Sequence, residues 1–522
     1  MAFYHSFAMP PQPVEPWEGI LDTRTNGPDC TQSGILLTEP VTGQEDCLYL
    51  NVYTPKMGKL EPLDVMFWIH GGGWQSGTGS SNTYGPQYLL DKDIILVTIN
   101  YRLGPLGFLS TGDSVCPGNN GFKDQVFALR WVQENIEAFG GDPNSITIFG
   151  ESAGGASVEY HMLSPLSKGL FHRGISESGC SLNLCTFSPN STTRYQTETL
   201  AKLLNCSSES SKEIIECLKE KDAATLFEKS SVFMEWNIDP MIPFKPVVET
   251  QPGENDEPFL IEEPLQTLLS NYDGLLPWMT GFLSSDGGFL SAIVYNKERL
   301  VEELNARFDE IIPMAMYFRE TASKSELKNI AQQIRSFYFG NQPISKENAR
   351  ALTNMYTDAF FISGMNTAVK LHARRKAPVY YFEFDYRGTN SYSSVFGDPT
   401  TDYGVCHLDE LMYLFPQNHF FPGSEMSLED EQMIDTMTTL WTNFAIYGNP
   451  TPENSEFETW NSVSSCTSPE YAQITHEGLK MVKDLLNERT EFWSKLPHKA
   501  RIPSSFKEEL NIMSPFSIKI NI

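Results

Sequence analysis

Apolar residues gather into short, almost unbroken runs in the first third of the chain: "VMFWI" (Val65 to Ile69), "IILVTI" (Ile94 to Ile99) and "ITIF" (Ile146 to Phe149). Runs this short with so few polar interruptions predict strands buried on both faces, as in a parallel sheet. Between the last two, in "GFKDQVFALRWVQENIEAFGG", Val126, Leu129, Val132 and Ile136 fall on one helical face before a glycine pair closes the segment. Strand, helix and strand joined by short loops make a βαβ unit. Further strands are predicted at Gly174 to Ser178, Pro277 to Leu283 and Pro378 to Tyr386.

From about 185 to 270 and from 295 to 375 the chain reads as helical and polar. Segments such as "ERLVEELNARFDEII" suit solvated helices packed over the sheet. "VETQPGENDEPFLIEEP" is acidic and proline-bearing and predicts a surface loop. With no internal repeat, low-complexity tract or long Gly/Ser linker, residues 1–522 are expected to form a single α/β domain, a mostly parallel central sheet with helices on both faces.

Composition narrows the partners. A formal charge of −28 argues against nucleic acid, whose phosphates need clustered Lys and Arg. No run of apolar residues is long enough for a membrane-spanning helix. The opening "MAFYHSFAMPPQPVEPWEG" has neither a basic n-region nor an apolar h-region, so as written the chain reads as cytoplasmic. The nine cysteines leave the compartment open: Cys30 with Cys47 and Cys206 with Cys217 bracket short segments, as local disulfides of a secreted protein do, and reduced thiols of a cytosolic one fit equally. N-glycosylation sequons stand at Asn190 and Asn205, a number close to chance for this length.

The sharpest chemical signal is "ITIFGESAGGAS", where a strand runs into a glycine-flanked serine and then a helix. Glycines two residues either side of Ser152 permit a tight strand-to-helix turn that lifts the hydroxyl clear of the sheet, at a helix N-terminus that favours developing negative charge. "WIHGGGWQSG" follows Val65 to Ile69 directly, and its glycines expose backbone N–H groups; Gly72, Gly73 and Ala153 are the candidate oxyanion donors. A serine needs a base held by a carboxylate. His407 in "DYGVCHLDELMYLF", a loop ahead of an amphipathic segment, is the favoured base, although a lone histidine is commonly structural. Asp286 in "FLSSDGGFL" lies just past a predicted strand, where it serves equally as the acid or as a surface-turn residue. Trp74 and Glu151 are candidate pocket residues, and no spacing of Cys and His suggests a metal site.

Taken together, "EDCLYLNVYTP", "HGGGW", "NYRLGPLGFLS", "GNNGFKDQVFALRWVQENIEAFGGDP", "ITIFGESAGGASV" and "GVCHLDELMYLF" resemble the type-B carboxylesterase/cholinesterase family across nearly the whole chain. The resemblance implies the α/β-hydrolase fold with helical excursions over the active site, and hydrolysis of small carboxylic esters without any cofactor. By motif it implies Ser152 as nucleophile, His407 as base, Asp286 in the place of the family's usual Glu, and the disulfides Cys30–Cys47 and Cys206–Cys217. It also implies a secreted glycoprotein, provided a full-length form carries a signal peptide.

The chain departs from the family pattern at several points. The first cysteine loop is short and lacks the family's choline-binding Trp, so no cation–π contact with a quaternary ammonium is expected there. Glu151 stands where juvenile-hormone esterases usually carry Gln, which favours a general, insect-type carboxylesterase. Ahead of about Pro11 the family's leading strands are expected to be missing, with the Arg that pairs with the glutamate at position 45. The rival readings are a non-catalytic binding or adhesion relative, which usually loses the serine or the histidine, and a juvenile-hormone-type or lipase-type esterase.

Overall fold

The computed structural model describes residues 8–15, 17–34, 40–55, 61–249, 257–270, 275–465, 468–483 and 486–503. Nine strands form one sheet: β1 (Leu50–Tyr53), β2 (Leu63–Ile69), β3 (Ile95–Ile99), β4 (Gly141–Glu151), β5 (Arg173–Glu177), β6 (Trp278–Leu283), β7 (Val379–Phe384), β8 (Tyr471–Thr475) and β9 (Gly478–Val482). Their order is β1-β3-β2-β4-β5-β6-β7-β8-β9. The outermost pairs, β1 with β3 and β8 with β9, are antiparallel, and every pair between them is parallel. The six predicted strands are all present. The edge strand β1 and the β8–β9 hairpin are additions that the apolar runs did not predict.

Strand periodicity explains how helices cover both faces. Along β5, Ser176 donates its hydroxyl to Gly155 O of the Ala153–Leu163 helix. Its neighbour Glu177 points the other way and accepts from the Trp441 indole on the Leu428–Tyr447 helix. Successive side chains of a strand face opposite sides, so β5 presents one row to each layer. Val65 to Ile69 are buried, with Met66 and Trp68 within the core.

The Asn120–Asn135 helix carries Val126, Leu129 and Val132 inward and passes into a 3₁₀ turn, Ile136–Phe139, which ends at Gly140 in the left-handed region. The polar stretch 295–375 folds mainly into helices. The described residues of 185–270 carry the short helices Asn190–Leu203, Ser211–Leu218, Ala223–Ser230 and Pro264–Leu269 with mostly irregular chain between them, less helical than expected. The surface loop predicted at residues 248–264 lies partly outside the described residues.

Cys30–Cys47 and Cys206–Cys217 are disulfide-bonded, and Cys116, Cys180, Cys185 and Cys406 are buried free thiols. No helix among the described residues is long and apolar enough to cross a membrane. Of the sequon asparagines, Asn205 is exposed and Asn190 is half-buried at the start of a helix.

Candidate active site

Parallel strands bring their carboxyl ends to one side of the sheet, and there the candidate residues meet. The glycine loop follows β2, Ser152 follows β4, Ser178 follows β5, Asp286 follows β6, and His407 lies in the long connection after β7.

Ser152 has φ +58° and ψ −121°, a backbone state that costs energy for a residue with a Cβ. Its surroundings enforce it. Ser152 N donates to Glu177 O at 2.8 Å, and Ala156 N donates back to Ser152 O at 2.9 Å. A Cβ at Gly154 would lie 2.0 Å from Ile69 O, so only glycine lets the helix start this close to β2. The Ser152 hydroxyl makes no hydrogen bond among the described residues.

Asp286 and His407, 121 positions apart in sequence, are adjacent in space. His407 Nδ1 donates to Asp286 Oδ1 at 2.9 Å. The other oxygen, Oδ2, accepts from Ser178 Oγ at 3.0 Å and from Leu283 N at 2.8 Å. The carboxylate is thus fully buried and fully partnered. Holding the proton on Nδ1 leaves Nε2 as the basic nitrogen. The imidazole packs between Phe289 and Phe361, with ring centroids at 5.1 and 4.7 Å. The segment after His407 is a buried 3₁₀ turn, Asp409–Tyr413, where the sequence suggested a longer amphipathic helix.

Nε2 of His407 lies 3.0 Å from Glu151 Oε1, close but without the alignment of a hydrogen bond. Glu151 belongs to a buried group of carboxyls with Glu177 and Glu410. Burial raises the Glu151 pKa well above the ordinary carboxylate range, and the charges of Asp286 and Glu177 push the same way. Burial likewise raises Glu177 and Glu410. Glu177 has one polar partner, the Trp441 indole, whereas both oxygens of Glu410 have none. Such surroundings favour the protonated form of these carboxyls, because several charges without hydrogen-bond partners are costly in one dry site. Among the described residues no set of three or more His, Cys, Asp and Glu side chains is arranged to hold a metal ion.

Gly72, Gly73 and Trp74 have φ values of +97°, +61° and +55°, a consecutive left-handed run. The turn is closed by Gln75 N and Ser76 N donating to Gly72 O at 2.9 and 3.1 Å. Beside it, His70 stacks on Tyr101 and its Nδ1 donates to Gly71 O at 2.8 Å. Burial pushes the His70 imidazole down to about 4, so it is neutral near neutrality. Gly71 abuts the serine turn, since a Cβ there would come within 3.1 Å of Ser152 Cβ.

These elements line a cavity of about 560 Å³ that includes Gly72, Gly73, Ser152, Ala153 and His407. Phe289, Phe360, Phe361, Tyr392 and Phe396 form an aromatic wall. Trp74 borders the cavity, but the residue is fully buried and its ring packs on Phe108, Phe122 and Tyr160.

The candidates read from the sequence, Ser152, Asp286, His407 and the glycine loop, come together at one side of the sheet. Sequence reasoning did not identify Ser178, Glu177 and Glu410 as their neighbours. The dipeptide Glu177-Ser178 ends a predicted strand, and only the sheet order, with β5 between β4 and β6, brings it to the site.

The model of the Carboxylesterase family matches residues 7–493. The chain is 38% identical to a juvenile hormone esterase of Tribolium castaneum over 511 residues, covering 93% of this chain and 86% of the other. It is 40% identical to Esterase FE4 of Myzus persicae over 469 residues, 87% of this chain and 79% of the other. The crystal structure of juvenile hormone esterase from Manduca sexta, with OTFP covalently attached, superposes with a TM-score of 0.81 at 28% identity, covering 92% of this chain and 90% of that one.

Fold and site thus define an α/β-hydrolase whose chemistry is carboxylic-ester hydrolysis by a serine hydrolase. The chain belongs to the carboxylesterase family.

Proposed function

We propose that Ser152, His407 and Asp286 form the catalytic triad of this esterase, with the N–H groups of Gly72, Gly73 and Ala153 as the oxyanion hole. The observation that carries the reading is the His407–Asp286 hydrogen bond at 2.9 Å, with His407 and the strained Ser152 lining one cavity. His407 Nε2 turns from Glu151 to take the Ser152 proton, and Oγ attacks the acyl carbon. Asp286 stabilises the imidazolium without taking its proton. The carbonyl oxygen becomes an oxyanion held by the three N–H groups, and the alcohol leaves with the proton from His407. Water, activated by the same base, then attacks the acyl-enzyme and releases the acid.

The aromatic wall favours uncharged esters with apolar groups. Two of the similar proteins are juvenile hormone esterases, which makes juvenile hormone a second candidate substrate to assay beside simple esters. The two disulfides and the exposed Asn205 sequon support maturation in an oxidising, secretory compartment.

The test is hydrolysis of p-nitrophenyl butyrate and labelling by a fluorophosphonate, each with the wild type and with Ser152→Ala. Turnover and label should both vanish in the variant. A folded variant that still labels would remove Ser152 from the nucleophile's role.

A further inference from the structure

The cavity leaves one question open: what holds the oxyanion loop in register with the serine helix. The loop and the helix start follow adjacent, paired strands, β2 and β4, with Ile69 opposite Gly150, so the strand ends are in register. Beyond those ends the loop leaves the sheet, and its glycines have no side chains with which to reach the helix.

We propose that Trp74 is the positioning residue of the oxyanion hole, acting through Ser157. Its indole Nε1–H donates to Ser157 Oγ at 3.0 Å. The Ser157 hydroxyl donates in turn to Ala153 O at 2.6 Å. One hydroxyl therefore joins the residue after Gly73 to the residue after Ser152, using its proton and one of its two lone pairs. The proposal rests on the assignment of Gly72, Gly73 and Ala153 as oxyanion donors.

Three further observations support it. Trp74 holds φ +55°, a conformation disfavoured for a bulky residue, so its surroundings must over-determine it. Its carbonyl accepts from Gly104 N at 2.6 Å, and its ring is clamped by Phe108, Phe122 and Tyr160. The side chain is turned away from the cavity into this packing, so its contribution to turnover runs through the loop and not through the substrate.

The variants are Trp74→Phe, which keeps a ring and loses the N–H, Ser157→Ala, and the double variant, assayed beside Ser152→Ala. A misaligned donor weakens the transition state far more than the ground state. Trp74→Phe should lower kcat by roughly tenfold or more with KM little changed, since losing a donor outright costs about 10²–10³. The affinity for an alkyl trifluoromethyl ketone, whose adduct places an oxyanion on the same donors, should fall by the same factor as kcat/KM. The double variant should be no worse than the weaker single one, because both break one link.

Unchanged kcat and unchanged ketone affinity in folded Trp74→Phe would overturn the proposal. So would a loss confined to thermal stability. Should Trp74→Phe fail to fold, Ser157→Ala carries the same comparison after removal of a single oxygen. An active Ser152→Ala control would instead overturn the underlying triad assignment, which separates the two failures.

Discussion

His407 Nε2 lies 3.0 Å from Glu151 Oε1, while the opposite ring nitrogen donates to Asp286 at 2.9 Å. One imidazole thus stands between two buried carboxyls with different surroundings. Asp286 accepts three hydrogen bonds, whereas neither Glu151 oxygen has a hydrogen-bond partner among the described residues. An ionised carboxylate suits the first setting and a protonated acid the second.

That difference predicts a pH effect on stability. Glu151 is raised by burial, so the folded protein keeps its proton after the unfolded chain has released it. The folded state binds more protons over that range, and stability falls as pH rises from about 4.5 through the raised value. Glu151→Gln removes this term. Melting temperatures of wild type and variant should converge near pH 4 and separate toward pH 8 in favour of the variant. A constant offset across that range would mean that Glu151 is ionised in the folded enzyme.

Asp286→Asn should lower kcat by roughly 10⁴ with little change in KM, because the amide no longer fixes the Nδ1–H tautomer. Steady-state kinetics on p-nitrophenyl butyrate is the check. Near-normal turnover would place the acid elsewhere.

Ser178→Ala removes the hydroxyl that donates to Asp286 Oδ2. A hydrogen bond to a charged group is worth about 1.5–3 kcal/mol, which bounds the loss, so kcat should fall by at most roughly one to two orders of magnitude. Steady-state kinetics on p-nitrophenyl butyrate is again the check, and an unchanged kcat would show that the two bonds from His407 and Leu283 suffice.

The disulfide Cys206–Cys217 spans 11 positions, outside the cavity lining. Replacing both cysteines by alanine should cost about 3 kcal/mol in denaturant unfolding from the loop-closure term. Ester hydrolysis by the folded variant should be unchanged. Equal unfolding midpoints would show that the cross-link adds nothing to stability.

Much of the fold was legible because its parallel strands are buried on both faces. Val65 to Ile69, Ile95 to Ile99 and Ile146 to Phe149 read as strands with no knowledge of their neighbours. The edge strands were not. β1 is four half-buried residues, and β9 carries an exposed Lys480, so neither shows a continuous apolar run or a clean alternation. Half-solvated edges lack the uniform burial that writes a strand into sequence.

The sequence by itself determined the local chemistry of this protein: a serine at a strand-to-helix turn, glycines after β2, and a family signature that named His407 and Asp286. These features are short-range, because a turn or a loop needs particular residues at fixed spacing. Tertiary structure alone decided that Ser178 supports Asp286, that Glu151, Glu177 and Glu410 share one dry space, and that Trp74 reaches Ser157. Each of these contacts joins different strand ends. Their proximity follows from sheet order and helix packing, which are set by burial summed over the whole chain and not by any local pattern.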